Sequence, residues 1–283
     1  SKYWSRVEIK RNLIVWLSLF CGCTSNPFWE DRPTSKLSIS GTVIADNRVT
    51  DIPVYVWVED LDISGQTNSE DAFSIDLSNL ETGDGSLSGP VRVFYYIHNY
   101  RVRHSVLNIT DGKFSTAQTD FDENGRLLEP VVLERLVTLE LVADDSWDRS
   151  AGDTLRIKLE MDIGGHGVSI FSHVKSVPHD YLPSGVLFSS GETGEAYFDQ
   201  NDIDFLQRYD VEPGASIVWT YTIAPDGIAA PPGDYDVRPF VMIQQDEVPD
   251  DLILGLGMTG LDHISAQYLK IPMDMLEKII LIQ

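Results

Sequence analysis

The stretch SGTVIADNRVTDIPVYVWV, Ser40 to Val58, decides the fold. Extended back to Leu37 it opens with Leu-Ser-Ile-Ser-Gly-Thr-Val, a clean alternation of apolar and small polar residues. After a loop rich in Asp and Asn it resumes with Val54-Tyr55-Val56-Trp57-Val58, which is β-branched or aromatic throughout. An alternation of period two is the signature of a strand with one face in a core, and Val, Ile, Tyr and Trp suit the pleated surface. The same rhythm returns in Phe73-Ser74-Ile75-Asp76-Leu77 and in Val91 to Ile97. Val102 to Ile109 and Lys113 to Gln118 flank Thr110-Asp111-Gly112, a strong hairpin turn signal. Short strands at this spacing, punctuated by Gly, Asn and Asp, predict β-sandwiches rather than alternating βα units.

A second set of strands is expected from Leu136 onward: Leu136 to Val142, Thr154 to Glu160, Val168 to Val174, Ile217 to Ile223 and Tyr235 to Ile243. Between them, Asp199 to Tyr209 reads as a short capped helix. Near the end, Pro272 suits the first position of a helix. Met275, Leu276, Ile279 and Ile280 would then form an apolar stripe, with a terminal strand over Lys278 to Ile282 as the other reading. The fold class expected is therefore all-β, two tandem β-sandwich domains. Their bounds are 36–134 and 135–246, with 247–283 a C-terminal extension of helical pattern.

The front of the chain carries a different message. Lys2, Arg6, Lys10 and Arg11 outweigh Glu8, and the apolar run Leu13 to Phe20 is too short to span a bilayer. A basic flank, a short apolar run and small residues describe a secretory signal over 1–22. Leu19-Phe20-Cys21-Gly22-Cys23 resembles the lipobox of bacterial lipoproteins, with Gly22 and Cys23 at its most constrained places. The resemblance implies a lipidated Cys23, palmitate or a similar acyl group included, and residues 23–35 as a tether. It implies a cell-envelope address, at the outer membrane or cell surface rather than the cytoplasm, and the membrane as a partner through the anchor.

Further resemblances sit on the body. Gly41, Val43, Pro53, Val54, Val56, Thr67, Asp71, Phe73 and Ile75 resemble the carboxypeptidase regulatory-like, transthyretin-type sandwich, although Ala72 stands where that family has a turn glycine. That family implies a structural or surface-binding module with no catalytic residue. EPGASIVWTYTI followed by PPGDYDVRPFVMI, from Glu212 to Ile243, resembles the last strands of Ig-like domains and of proteinase-inhibitor-like sandwiches.

Composition bounds the function. The chain has 44 Asp and Glu against 21 Lys and Arg, a formal charge of -23, which argues against nucleic-acid binding. With 42% hydrophobic and 10% aromatic residues it has the means to bury a core. Asp120, Asp122 and Asn124 with Gly125 follow the D-x-D-x-N-G front half of a calcium loop, where hard oxygens converge on the ion. Val131 occupies the place of the bidentate glutamate, so a plain acidic turn is the other reading, and calcium is the one cofactor the sequence suggests. Glu59-Asp60-Leu61-Asp62 and Glu70-Asp71 close the two ends of one loop and could share a cation. His166, His173 and His179 match no zinc spacing. Tyr95, Tyr100 and Arg101 form a candidate ligand surface, since aromatic and Arg side chains dominate binding hot spots. No G-x-S-x-G, S-x-x-K or phosphate-cradling loop is found. The function expected is a non-catalytic envelope lipoprotein that binds, adheres or scaffolds, with an envelope protein or glycan as partner. A protease-inhibitor-like second domain and a hydrolase with an unrecognised carboxylate site are the alternatives.

Overall fold

The computed structural model describes residues 37–77, 88–110, 113–198, 205–258 and 264–283. The expected signal segment, Cys21, Cys23, the expected tether, Asp111-Gly112 of the expected hairpin turn and the start of the helix expected at Asp199 lie outside the described residues. Residues 38–283 form one compact unit. It is all-β, with several sheets.

The first half begins with β1 (Ser38–Ala45), β2 (Tyr55–Val58), β3 (Ile63–Gln66) and β4 (Ala72–Asp76). It continues through β5 (Gly89–Tyr96), β6 (Arg103–Thr110), β7 (Lys113–Phe114) and β8 (Val131–Leu133). These make a sheet of order β3-β2-β5-β6-β7 and a second of order β4-β1-β8. In the second sheet Gly41 stands opposite Phe73. A Cβ on Gly41 would lie 2.6 Å from Leu127 Cβ and 3.0 Å from the Phe73 ring, so only glycine lets these elements approach. At the missing turn glycine, Asp71 itself adopts a left-handed backbone (φ 60°), with Asn68 Oδ1 accepting from the backbone N–H of Glu70 and Ala72.

The second half adds β9 (Val137–Val142), β10 (Ser146–Trp147), β11 (Leu155–Ile163), β12 (Val168–Val177), β13 (Asp180–Ser184) and β14 (Val186–Ser190). Then come β15 (Ala196–Phe198), β16 (Phe205–Val211), β17 (Ser216–Ile223), β18 (Gly233–Pro239), β19 (Met242–Gln244) and β20 (Ile279–Ile282). One short helix, α1 (Asp250–Gly255), and a 3₁₀ turn, Ala266–Lys270, precede the last strand. In β11 the alternation is complete: Leu155, Ile157, Leu159, Met161 and Ile163 are buried, and the residues between them are exposed.

Two sequence expectations are corrected here. Phe205 to Tyr209 is strand, because its alternation lets β16 pair with β12 along seven residues. The C-terminal segment is not a helix at 272–283. β20 lies between β10 and β18 in one sheet, burying Ile280 and Ile282 and leaving Leu276 and Ile279 outward. The 247–283 segment is thus built into the second half.

Among the described strands no sheet takes members from both halves. The halves meet through β2 and β5. All four residues of β2 are buried, so both of its faces are covered. Tyr55, Trp57, Phe94, Tyr96 and Val102 belong to the same hydrophobic cluster as Leu139, Ile157, Ile243 and Met258.

A polar clasp runs beside that seam. The Asp274 carboxylate is fully buried. It accepts from the backbone N–H of Val49 and Thr50, at 3.0 and 2.8 Å, and from Thr50 Oγ1 at 2.7 Å. Tyr100 Oη at 2.8 Å and Arg135 Nη2 at 2.6 Å complete the set. The Asn99 side chain bonds the backbone of Asp274 in both directions. Arg135 is 12% exposed and reaches the Asn47 carbonyl as well. Burying a charge costs several kcal/mol unless it is paired and hydrogen-bonded, and here every lone pair is met.

Asp274→Asn keeps the shape and removes the charge, leaving Arg135 buried and unpaired. The expected loss is about 3–5 kcal/mol of unfolding free energy, read from urea denaturation. Asp145→Asn breaks the exposed pair with Lys278 and is expected to leave the unfolding midpoint unchanged.

Candidate binding face

α1 starts at Pro249 and buries Leu252, while Leu254 on its outer side is 52% exposed. The helix is therefore a ridge on the surface, and Leu254 borders a cleft on each side.

The first cleft is apolar, about 470 Å³ in volume. Tyr96, Phe171, Met242 and Ile243 wall it from the sheets, and Ile253, Leu254 and Met258 from the helix side. Its back is fixed by a buried histidine. His98 Nδ1 lies 2.7 Å from Tyr96 Oη, and Nε2 accepts from the Ile243 N–H at 3.1 Å. Nε2 also lies 3.1 Å from the Val241 carbonyl, so which ring nitrogen donates depends on the tautomer, and the neutral ring can bond the phenol in either form. Gln245 adds a second tie, accepting from the Val102 N–H and donating to the Tyr100 carbonyl.

The second cleft is acidic, about 490 Å³, between the β2–β3 loop and α1. Glu59, Asp60, Asp62 and Asp251 line it with Trp57, Leu254 and Gly255. Glu59 is committed: Arg92 reaches it with two N–H groups at 2.5 Å, and the Arg92 guanidinium also stacks on Phe94 at 5.1 Å. The Glu59 hydrogen bond raises the Arg92 pKa, against the lowering effect of desolvation, with the charges of Glu59 and Asp60 adding to the rise. Asp60, Asp62 and Asp251 are exposed and make no salt bridge among the described residues. Trp57 is 3% exposed, and its indole Nε1 has no hydrogen-bond partner. An orphaned buried donor costs about 1–3 kcal/mol, which makes such a group unusual in a native fold.

A third, polar cleft of about 430 Å³ adjoins the apolar one through Gln244 and Asp246. There Arg208 donates to Asp210 and Ser169, and Ser169 donates to Asp210. These hydrogen bonds, that from Ser169 foremost, hold the Asp210 pKa below its ordinary value.

No family model matches the chain, and no curated protein matches it in sequence. The solved structure of the Bacillus anthracis TIE protein aligns with it at 10% identity, over 74% of this chain and 48% of that one, with a TM-score of 0.22. What the site can do is therefore argued from its own residues.

The residues singled out from sequence are placed as follows. Tyr95 and Tyr100 are fully buried, which corrects their reading as a ligand surface. Both faces of β5 are covered from Val93 to Tyr96, and Tyr100 serves the clasp, where burial pushes its pKa up to about 12. Arg101 stays at the surface, 3.9 Å from Glu134. Asp122 Oδ1 accepts from the N–H of Asn124 and Arg126, and Asp120 Oδ2 from the N–H of Val106. The Asp122 carboxylate thus closes a tight turn, and that of Asp120 ties the segment to β6. No group of three or more His, Cys, Asp or Glu among the described residues is arranged to hold a metal ion. The two acidic ends of the β2–β4 loop go to separate arginines, Glu59 to Arg92 and Asp71 to Arg48. His166 pairs with Glu134, His179 occupies a left-handed turn and His173 packs against Phe240. Sequence reasoning missed Asp274, Asp251 and the role of Trp57. The one available signal was an Asp at position 274 inside an otherwise apolar Ile-Pro-Met-Asp-Met-Leu run.

The buried histidine gives the face a pH dependence. Desolvation lowers the His98 pKa from 6.5 to about 4, with the Val241 carbonyl opposing and Arg238 reinforcing the drop. The unfolded chain then binds a proton that the folded one refuses between those two values. Stability is full above pH 6.5 and falls as the pH drops toward 4, by about 3 kcal/mol from this group. Urea denaturation across that window should show the loss. The imidazole nitrogen resonances of His98 should stay those of the neutral ring until the pH nears 4.

Proposed function

We propose that the chain is a lipid-anchored protein of the cell envelope, acylated at Cys23, whose β body is a non-catalytic scaffold that docks a partner on the face around α1. The observation that carries the docking reading is Leu254, a half-exposed leucine standing between an apolar and an acidic cleft on a framework held from both halves of the fold. A surface that offers an apolar anchor flanked by charge is the composition of a recognition site. The envelope address is supported by the basic flank, the short apolar run and Gly22-Cys23. A carboxypeptidase regulatory-like first half is supported by the Gly41 approach to Phe73 and by Thr67 Oγ1, which accepts from the Val54 N–H. An Ig-like second half rests on the strand pattern of Ser216 to Pro239 alone.

Two measurements test the proposal. The N-terminal peptide from membranes of the native host should begin at Cys23 and carry acyl mass; an unmodified peptide retaining Leu13 to Cys21 removes the address. A photo-cross-linking amino acid at position 254 should give discrete adducts in those membranes, while the same group at the exposed Val218 on β17 should give none. Equal labelling from both positions, or none from 254, rejects the docking face.

A further inference from the structure

We infer that the acidic cleft between the β2–β3 loop and α1 is a subsite for a lysine or arginine side chain of a partner peptide, with the Trp57 indole N–H donating to the peptide carbonyl beside it. The inference rests on the docking face proposed above and names the chemistry of what docks there.

Three features of the cleft point the same way. Asp60, Asp62 and Asp251 supply negative charge, from two separate elements facing one space, and none of them makes a salt bridge among the described residues. Trp57, on β2, has its Nε1 3.9 Å from where a Cβ on Gly255 would stand, and Gly255 is itself a wall of the cleft. The polar edge of a buried ring is thus turned to that wall, with its hydrogen unspent. Leu254 provides the third feature, an exposed aliphatic group on the rim of the same cleft.

A bare metal ion does not fit this set, because an indole N–H presents positive charge to whatever enters. A simple anion is refused by the carboxylates. The ligand must bring a cation and a hydrogen-bond acceptor together, with apolar surface nearby. A basic residue in a peptide does so: its ammonium or guanidinium meets the aspartates, its backbone carbonyl meets the indole, and an adjacent apolar side chain covers Leu254. The chain's strong negative charge favours encounter with such a partner, and more so at low salt.

The probe is the tetrapeptide acetyl-Leu-Lys-Leu-Lys-amide, and the control is the same peptide with both lysine amines acetylated. The full chain, labelled with 15N at tryptophan, reports six indole signals, and Trp57→Phe identifies that of Trp57. The lysine peptide should move the Trp57 N–H proton downfield in a saturable way. The acetylated peptide should leave it in place. Asp62→Asn combined with Asp251→Asn, two exposed changes that leave the core intact, should weaken binding at least tenfold. If the lysine peptide binds but the Trp57 signal does not move, or if the acetylated peptide moves it equally, the subsite is wrong while the docking face stands. If no binding occurs while position 254 still cross-links in membranes, the basic-peptide chemistry is wrong and the scaffold reading survives. If neither binding nor cross-linking is seen, both fall.

Discussion

A single buried carboxylate holds the arrangement together. Asp274 receives hydrogen bonds from the β1–β2 loop, from the segment after β5 and from the β8–β9 link, so two parts of the first half and the link between the halves are tied to a residue of the tail. An ion in this position is stable only while each of its partners is present. The clasp therefore specifies geometry more than it adds energy. Hydrophobic burial at Tyr55, Trp57, Phe94 and Tyr96 supplies the adhesion, and the carboxylate selects one docking angle among those that an apolar seam would tolerate.

That angle shapes the surface. β2 is buried on both sides, so Trp57 turns toward the second half and ends beside α1 rather than in the first half's own core. Tyr96 on β5, which stands opposite Tyr55, reaches the apolar cleft, and His98 pins Tyr96 to Ile243 across the seam. The pair of clefts around α1 is therefore a product of the junction. Neither half builds them alone.

Much of the strand content was legible in the sequence because a half-buried strand writes its burial into alternate positions. β11 and β1 are plain examples, and the Asn124-Gly125 turn gave its own warning. The failures have a common cause. Val-Tyr-Val-Trp-Val has no polar partner in its alternation, and only the packing of a second half explains why both sets of side chains are apolar. Tyr95 and Tyr100 looked available for the same reason: amphipathic rings are compatible with a rim and with a core. Phe205 to Tyr209 and Pro272 to Ile282 are short segments for which period alone does not separate helix from strand, and sheet neighbours elsewhere in the chain settled the matter. Asp251 and Trp57 lie nearly two hundred residues apart, and no local pattern could bring them to one cleft.

The place of β20 has a consequence for the order of assembly. It lies inside a sheet, parallel to Ser146–Trp147 on one side and antiparallel to β18 on the other, and the clasp residue sits just before it. Val49 must wait for a partner 225 positions downstream. A chain that emerges N-terminus first can pair β1 with β4 and β5 with β6 early, yet the second half stays open until its last strand arrives. The sheet that β20 shares with β10 and β18 is therefore completed by pairings of long sequence separation, which form more slowly than the hairpins of the first half.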